Sequence, residues 1–184
     1  MLEVNFTPFP TLVTERLILR EATMDDAQEV FYLRSDADVI KYVDRDPAES
    51  IEEAKTFIQT LIDNRVNNTG ISWNIVPKGT EKMIGNIALW RLDRPNYRAE
   101  IGYVLHPDHQ GKGIMQEALQ SVIHYGFYEM ELHSIEANIN PGNMSSQRLL
   151  ERAGFVKEAH FRENYYYNGR FLDSAIYSLL TPKK

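Results

Sequence analysis

Residues 100–115 read Glu100-Ile101-Gly102-Tyr103-Val104-Leu105-His106-Pro107-Asp108-His109-Gln110-Gly111-Lys112-Gly113-Ile114-Met115. The run opens as a strand with Glu100, Gly102 and Val104 on one face. It then passes through a short glycine-bearing loop and enters a helix. Consecutive backbone N–H groups at a helix N-terminus form an anion site, and the helix dipole assists them. Gly111 and Gly113 let a phosphate approach the backbone with no Cβ in the way, and Lys112 adds a cation. A diphosphate is the natural guest; the alternative is a plain strand-to-helix turn. The loop is not a P-loop, because no Gly-Lys-Ser/Thr stands at Walker spacing. It is a poor dinucleotide fingerprint too, because Gln116 occupies the third glycine position.

Working outward, 16–20 (Arg-Leu-Ile-Leu-Arg) reads as a strand. Thr23-Met24-Asp25-Asp26 resembles a capping box and opens a helix to about Arg34. Ser50-Ile51-Glu52-Glu53 is a second box, followed by a helical stripe of Ile51, Ala54, Phe57, Ile58, Leu61, Ile62 and Val66. The period then changes to two at Ile71, Trp73 and Ile75. Met83 to Trp90 and Ala99 to Leu105 continue an antiparallel meander. Met115, Ala118, Leu119, Val122, Ile123, Gly126, Phe127 and Met130 form another helical stripe. Ser134 to Ile139 reads as a strand, and Asn143 caps a helix that Gly154 closes. Phe155 to Glu163 and Phe171 to Leu180 are the last strands, joined through Asn168-Gly169. The order is β-α-α-β-β-β-α-β-α-β-β. The expected fold is α/β (α+β), a mixed sheet of about seven strands with helices on both faces. No linker interrupts the 184 residues, so 1–184 is expected to form one domain with its core over 11–181.

Composition narrows the function. With no Cys there is no thiolate zinc site and no cysteine nucleophile. Apolar runs are far shorter than the ~20 residues that span a bilayer. Met1 to Pro10 carries Glu3 and two prolines where a secretory signal has a basic region and an apolar core, so a cytoplasmic location is expected. A net charge of −6 argues against a general nucleic-acid binder.

A second segment, Asn140 to Phe155, contains Asn143-x-x-Ser146 followed by Leu150-Glu151-Arg152-x-Gly154-Phe155. With Gln110-x-x-Gly113-x-Met115, it resembles the GNAT superfamily, the Gcn5-related N-acetyltransferases. Met115 departs from the small residue usual at the end of that loop. The departure is common in one branch, where Gly-Lys-Gly-Ile-Met precedes Glu-Ala-Leu, as Glu117-Ala118-Leu119 does here. Thr14-Glu15-Arg16-Leu17-Ile18-Leu19-Arg20 is also similar to that branch, which includes the RimJ/RimL-type ribosomal-protein N-terminal acetyltransferases. The resemblance implies a GNAT fold and acetyl-CoA as donor, with no metal. It implies that backbone groups of Tyr103, Val104 and Leu105 hold pantetheine. Gln110, Gly111, Lys112, Gly113, Ile114 and Met115 would hold pyrophosphate, and Asn143 would touch the arm near the thiol. It also implies Val104 N–H as oxyanion donor and allows a homodimer, which is frequent in the branch.

Acetyl transfer needs a neutral amine. An α-amine of pKa about 8 is roughly a tenth neutral at pH 7, whereas a lysine near 10.4 is neutral less than about once in a thousand. A modest base therefore serves an α-amine. Glu100 is the candidate base; the alternative is a structural pair with Arg98 or Arg91. Ser146 is the candidate acid or thiol contact, and the alternative is a first-turn serine bonding its own backbone. Without Cys, direct transfer is expected. His106 and His109 lack an evident third ligand for a metal. Trp73 and Trp90 read as core, and Tyr165, Tyr166 and Tyr167 as packing, with the lining of an acceptor cleft as the alternative. Asp36, Asp38, Asp44 and Asp46 read as a solvated run, or as recognition of a cationic acceptor. The expected function is acetylation of a protein or peptide N-terminus. The alternatives are a small-amine acetyltransferase (polyamine, amino acid or antibiotic) and an acyl-CoA-binding module without turnover. No nucleic-acid or membrane partner is expected.

Overall fold

The computed structural model describes residues 1–182. In chain order the elements are β1 (Leu12–Val13), β2 (Leu17–Arg20), α1 (Ala27–Ser35), α2 (Ala37–Ile40), α3 (Ile51–Val66), β3 (Ile71–Pro77), β4 (Gly85–Asp93) and β5 (Arg98–Leu105). There follow α4 (Ile114–Tyr128), β6 (Ser134–Ile139), α5 (Met144–Arg152), β7 (Val156–Tyr167) and β8 (Arg170–Leu180). The strands form one eight-stranded sheet in the order β1-β2-β3-β4-β5-β6-β8-β7.

The expected order holds, with three differences of detail. The eighth strand is β1, two residues paired with β2 and too short to show a sequence period. α2 is one turn, capped by the Asp36 carboxylate, which accepts from the N–H groups of Asp38 and Val39. β7 runs on to Tyr167, past Glu163, because a register shift between Phe161 and Tyr165 breaks its alternation there.

Two cores lie on opposite faces. Ala99, Ile101 and Leu105 of β5 pack with Met115, Leu119 and Val122 of α4 and with Leu149 and Leu150 of α5. On the other face α1 and α3 bury Val30, Leu33, Ala54 and Ile58 over Val76 and Met83, with Val104 against them. Trp73 is fully buried and donates its indole N–H to the Pro10 carbonyl at 2.8 Å. Trp90 is a correction to the sequence reading, being 40% exposed. The ladder shifts register between Trp90 and Asp93, and Arg91 sits at φ 47°, which turns this end of β4 outward.

β5 and β6 are the parallel pair of the sheet, and their pairing stops at Glu100 opposite Glu136. Beyond that point β5 follows β4 as far as Leu105, and β6 follows β8 as far as Ile139. Gly85 lets the β4–β5 ladder stay close, since a Cβ there would stand 2.6 Å from the Val104 carbonyl oxygen. The two strands therefore diverge and leave a wedge-shaped gap.

A buried polar knot fixes the start of α1. The Asp26 carboxylate accepts from Arg20 at 2.7 and 2.8 Å, from Thr23 N–H at 2.8 Å and from Asn74 Nδ2 at 3.0 Å. Burial pushes this carboxyl up, but the Arg20, Thr23 and Asn74 bonds outweigh it and hold it below its usual range. A lowered folded pKa stabilises the fold above the unfolded value of about 3.9, and the contribution is lost as pH falls through the folded value. Asp26→Asn is expected to lose about 1–3 kcal/mol at pH 7, Arg20 being partly solvated. The deficit relative to the parent should shrink below about pH 4. Urea unfolding across pH 3–7 measures both.

Candidate active site

The loop between β5 and α4 presents its backbone as the sequence suggests. Gly111 and Gly113 take φ of 72° and 75°, the left-handed region that glycine favours. Among the described residues, the N–H groups of Gly111, Lys112 and Gly113 have no acceptor in the chain. The first N–H groups of α4, from Ile114 and Met115, have none within the helix by geometry. Nothing lies within 4 Å of where a Cβ on Gly111 would stand. The loop is braced from both ends. Gln110 Nε2 donates to the Leu105 carbonyl at 3.1 Å, and Lys112 Nζ donates to the Asp108 carbonyl at 2.7 Å. Lys112 thus adds its charge to the loop while its ammonium spends one bond holding it.

The loop is also tied to the start of β2. Glu117, in the first turn of α4, accepts from Thr14 Oγ1 at 2.6 Å, from Arg16 N–H at 2.8 Å and from Arg16 Nε at 2.6 Å. Arg16 Nη1 donates to the Lys112 carbonyl at 3.0 Å.

Tyr103, Glu100 and Ser146 stand around the gap. By alternation Tyr103 lies on the α4/α5 face of β5 and Glu100 on the opposite face. The Tyr103 hydroxyl and the buried Ser146 hydroxyl are 2.5 Å apart. Burial dominates and pushes the Tyr103 phenol up to about 12, although the Ser146 bond pulls the other way. Asn143 caps α5 as expected, its Oδ1 accepting from Ser146 N–H at 3.1 Å, and so places that serine. Glu100, 12% exposed, accepts from Arg91 Nη1 at 3.0 Å, the pairing held open as its alternative. Arg98 turns instead to Glu136. The two pairs sit side by side where the strands part, on the same face.

Sequence reading did not find the side-chain role of Tyr103. The sequence places that residue at the gap through its backbone alone, and the serine its hydroxyl meets is 43 positions away. It did not find the partners of the acidic run either. Tyr165 donates to Asp44, and Tyr167 to Asp46 at 3.2 Å, so these tyrosines hold the segment after α2 rather than pack in a core. The ring of Tyr42, on that segment, comes within 3.5 Å of where a Cβ on Gly142 would stand. His106 stacks on Tyr32 with ring centroids 4.5 Å apart and accepts from Asp108 N–H. Among the described residues no cluster of His, Cys, Asp or Glu is placed to hold a metal ion, and no helix is long and apolar enough to cross a membrane.

The model of the acetyltransferase (GNAT) domain family matches residues 16–156. The chain belongs to the GNAT acetyltransferase family. It is 38% identical over 176 residues to the uncharacterized N-acetyltransferase YoaA of Bacillus subtilis, covering 96% of this chain and 99% of that protein. It is similar in structure to a ribosomal-protein-S5-alanine acetyltransferase from Vibrio fischeri, with TM-score 0.83, 26% identity, and coverage of 95% and 98% of the two chains. It is equally similar to the microcin C7 self-immunity acetyltransferase MccE, solved with acetyl-CoA and AMP. There the TM-score is 0.83, identity 26%, and coverage 97% and 99%. This GNAT chain is therefore an N-acetyltransferase, with acetyl-CoA as its donor.

The residues present suit that donor. Free backbone N–H groups and two left-handed glycines offer an anion cradle, and β5 and β6 leave backbone edges unpaired beyond Glu100 and Glu136. Replacing Tyr103 by Phe would leave the buried Ser146 hydroxyl without its partner. The expected cost is about 1–2 kcal/mol, and a double-mutant cycle with Ser146→Ala should show coupling of similar size. Urea denaturation of the four proteins is the measurement.

Proposed function

We propose that this GNAT enzyme acetylates the N-terminal α-amine of a protein or peptide. The observation that carries the reading is the arrangement around the gap, with a carboxylate on one face of β5 and a hydroxyl pair on the other. The donor enters from the α4/α5 face. Its pyrophosphate sits on the backbone of Gln110, Gly111, Lys112, Gly113, Ile114 and Met115, and its pantetheine arm lies along Tyr103, Val104 and Leu105. Asn143, which caps the helix carrying Ser146, lies beside the thiol end. The acceptor comes to the face of Glu100, opposite the donor side of β5.

The thioester supplies an activated acetyl group; the chain supplies position and protons. Glu100 removes the proton that the attacking amine must lose, directly or through one water. Arg91 fixes the carboxylate at the closed end of the gap, where the strands part. Val104 N–H is the donor to the oxyanion. Tyr103, its phenol pushed up to about 12, keeps its proton at neutral pH. With Tyr103 donating to Ser146, the Ser146 hydrogen is free for the departing thiolate. No group on the chain needs to be acylated, so transfer is direct.

Supporting the N-terminal acceptor are the likeness to a ribosomal-protein-S5-alanine acetyltransferase and the weak demand that an α-amine makes on its base. The segment holding Asp44 and Asp46, clasped by Tyr165 and Tyr167, gives the acceptor side an acidic border suited to a cationic N-terminus.

Thiol release from acetyl-CoA should appear with short peptides bearing free Ser, Ala, Met or Thr N-termini. It should stay at background with polyamines, amino acids and aminoglycosides; release with those alone would overturn the acceptor assignment. Glu100→Gln should lower kcat by about 10²-fold or more with acetyl-CoA affinity unchanged, and unchanged turnover from pH 6 to 9 would remove Glu100 from the mechanism. Gly113→Val places a branched residue at a left-handed φ inside the cradle. It should abolish measurable acetyl-CoA binding in calorimetry.

A further inference from the structure

The Thr14-to-Arg20 stretch is the motif that the reaction above leaves unused. Arg20 belongs to the Asp26 knot, but Arg16 points elsewhere. Its Nε is bound to Glu117 and its Nη1 to the Lys112 carbonyl, while Nη2 has no hydrogen-bond partner among the described residues. That free nitrogen lies 3.4 Å from where a Cβ on Gly113 would stand. A guanidinium N–H thus faces one of the two loop glycines whose missing side chains leave room for a phosphate.

We infer that Arg16 is a cofactor-binding residue whose Nη2 donates to the diphosphate seated on the backbone at Gly111 to Gly113. The inference rests on the cradle reading above and adds to it a side chain nearly a hundred positions upstream of the loop. Three features support it. First, the guanidinium is planar and its other two donor directions are already fixed, so Nη2 is aimed without further loss of freedom. Second, Arg16 compensates Glu117, which would otherwise set a bare carboxylate in the first turn of α4, beside an incoming dianion. Third, by drawing the Lys112 carbonyl toward β2, Arg16 takes an acceptor oxygen out of a site that must present donors. Lys112 supplies charge to the loop but spends one of its three ammonium donors on the Asp108 carbonyl.

Isothermal titration of CoA and of 3′-dephospho-CoA into the parent, Arg16→Ala and Arg16→Lys tests the assignment. Thermal melts without ligand show that each variant is folded. Arg16→Ala is expected to weaken both ligands by on the order of 10-fold or more. Arg16→Lys, which keeps the charge but not the three-way geometry, should recover part of that loss. Arg16→Ala binding as tightly as the parent overturns the inference. So does Arg16→Lys as weak as Arg16→Ala, which would make Arg16 a latch for the loop and not a phosphate contact. A loss confined to CoA would move the contact to the 3′-phosphate and overturn its placement at the diphosphate. A parent that binds neither ligand overturns the cradle itself and this inference with it.

Discussion

The gap around which the proposed site is built depends on one broken ladder. Parallel pairing between β5 and β6 ends at Glu100 and Glu136, and each strand then keeps faith with its other neighbour. Buried backbone groups need partners, so a sheet split in this way is tolerated only where something else meets the exposed edges. An arm carrying amides, lying along the gap like an added strand, would meet them. The split also sets the placement of side chains. It begins at the residues whose carboxylates face Arg91 and Arg98, so charged pairs mark its closed end while the glycine loop stands beyond its open one.

The loop owes its shape to contacts distant in sequence. Gly111 and Gly113 permit a backbone that turns its N–H groups outward, but permission is not order. Order comes from Gln110 and Lys112, which bond carbonyls of the approaching chain, and from the Thr14–Arg16–Glu117 cluster, which pins the first turn of α4 to β2. Burial pushes the Glu117 carboxyl up, but the Thr14 and Arg16 bonds prevail and hold it below its ordinary range. The cradle is thereby preorganised, with its donors placed before any ligand arrives.

Much of this was legible in the sequence, for identifiable reasons. Ile51, Ala54 and Ile58 or Met115, Leu119 and Val122 repeat with the helix period because one face of each helix is buried. Ser50 and Asn143 announce helix starts because their oxygens satisfy orphan N–H groups, and both do so. What escaped were facts of register and of distant pairing. The left-handed residue Arg91 shifts the end of β4, exposing Trp90 and bringing Arg91 to Glu100. No local pattern signals such a shift. Tyr103 and Ser146 are each unremarkable residues in a strand and a helix; only the topology that lays α5 against β5 makes them a pair. The tyrosines of β7 likewise read as ordinary strand aromatics until the hairpin carries them over Asp44 and Asp46.

Placing the two proposed proton-handling groups on opposite faces of one strand has a chemical logic. An amine must lose a proton as it attacks, and a thiolate must gain one as it leaves. If the proposed base and acid shared a face, they would compete for one proton through a common water. Here the backbone of β5 lies between Glu100 and the Tyr103–Ser146 pair. Proton exchange between them must therefore pass through the reacting atoms or around the strand. The environments reinforce the division. Arg91, exposed at the sheet surface, attends the carboxylate, whereas the Tyr103 phenol is enclosed and pushed up by burial. A carboxylate paired with a guanidinium and a phenol that resists ionisation are thus sorted to the two sides from which acceptor and donor would approach. Strand alternation alone suffices for the sorting, since residues 100 and 103 differ by an odd number of positions.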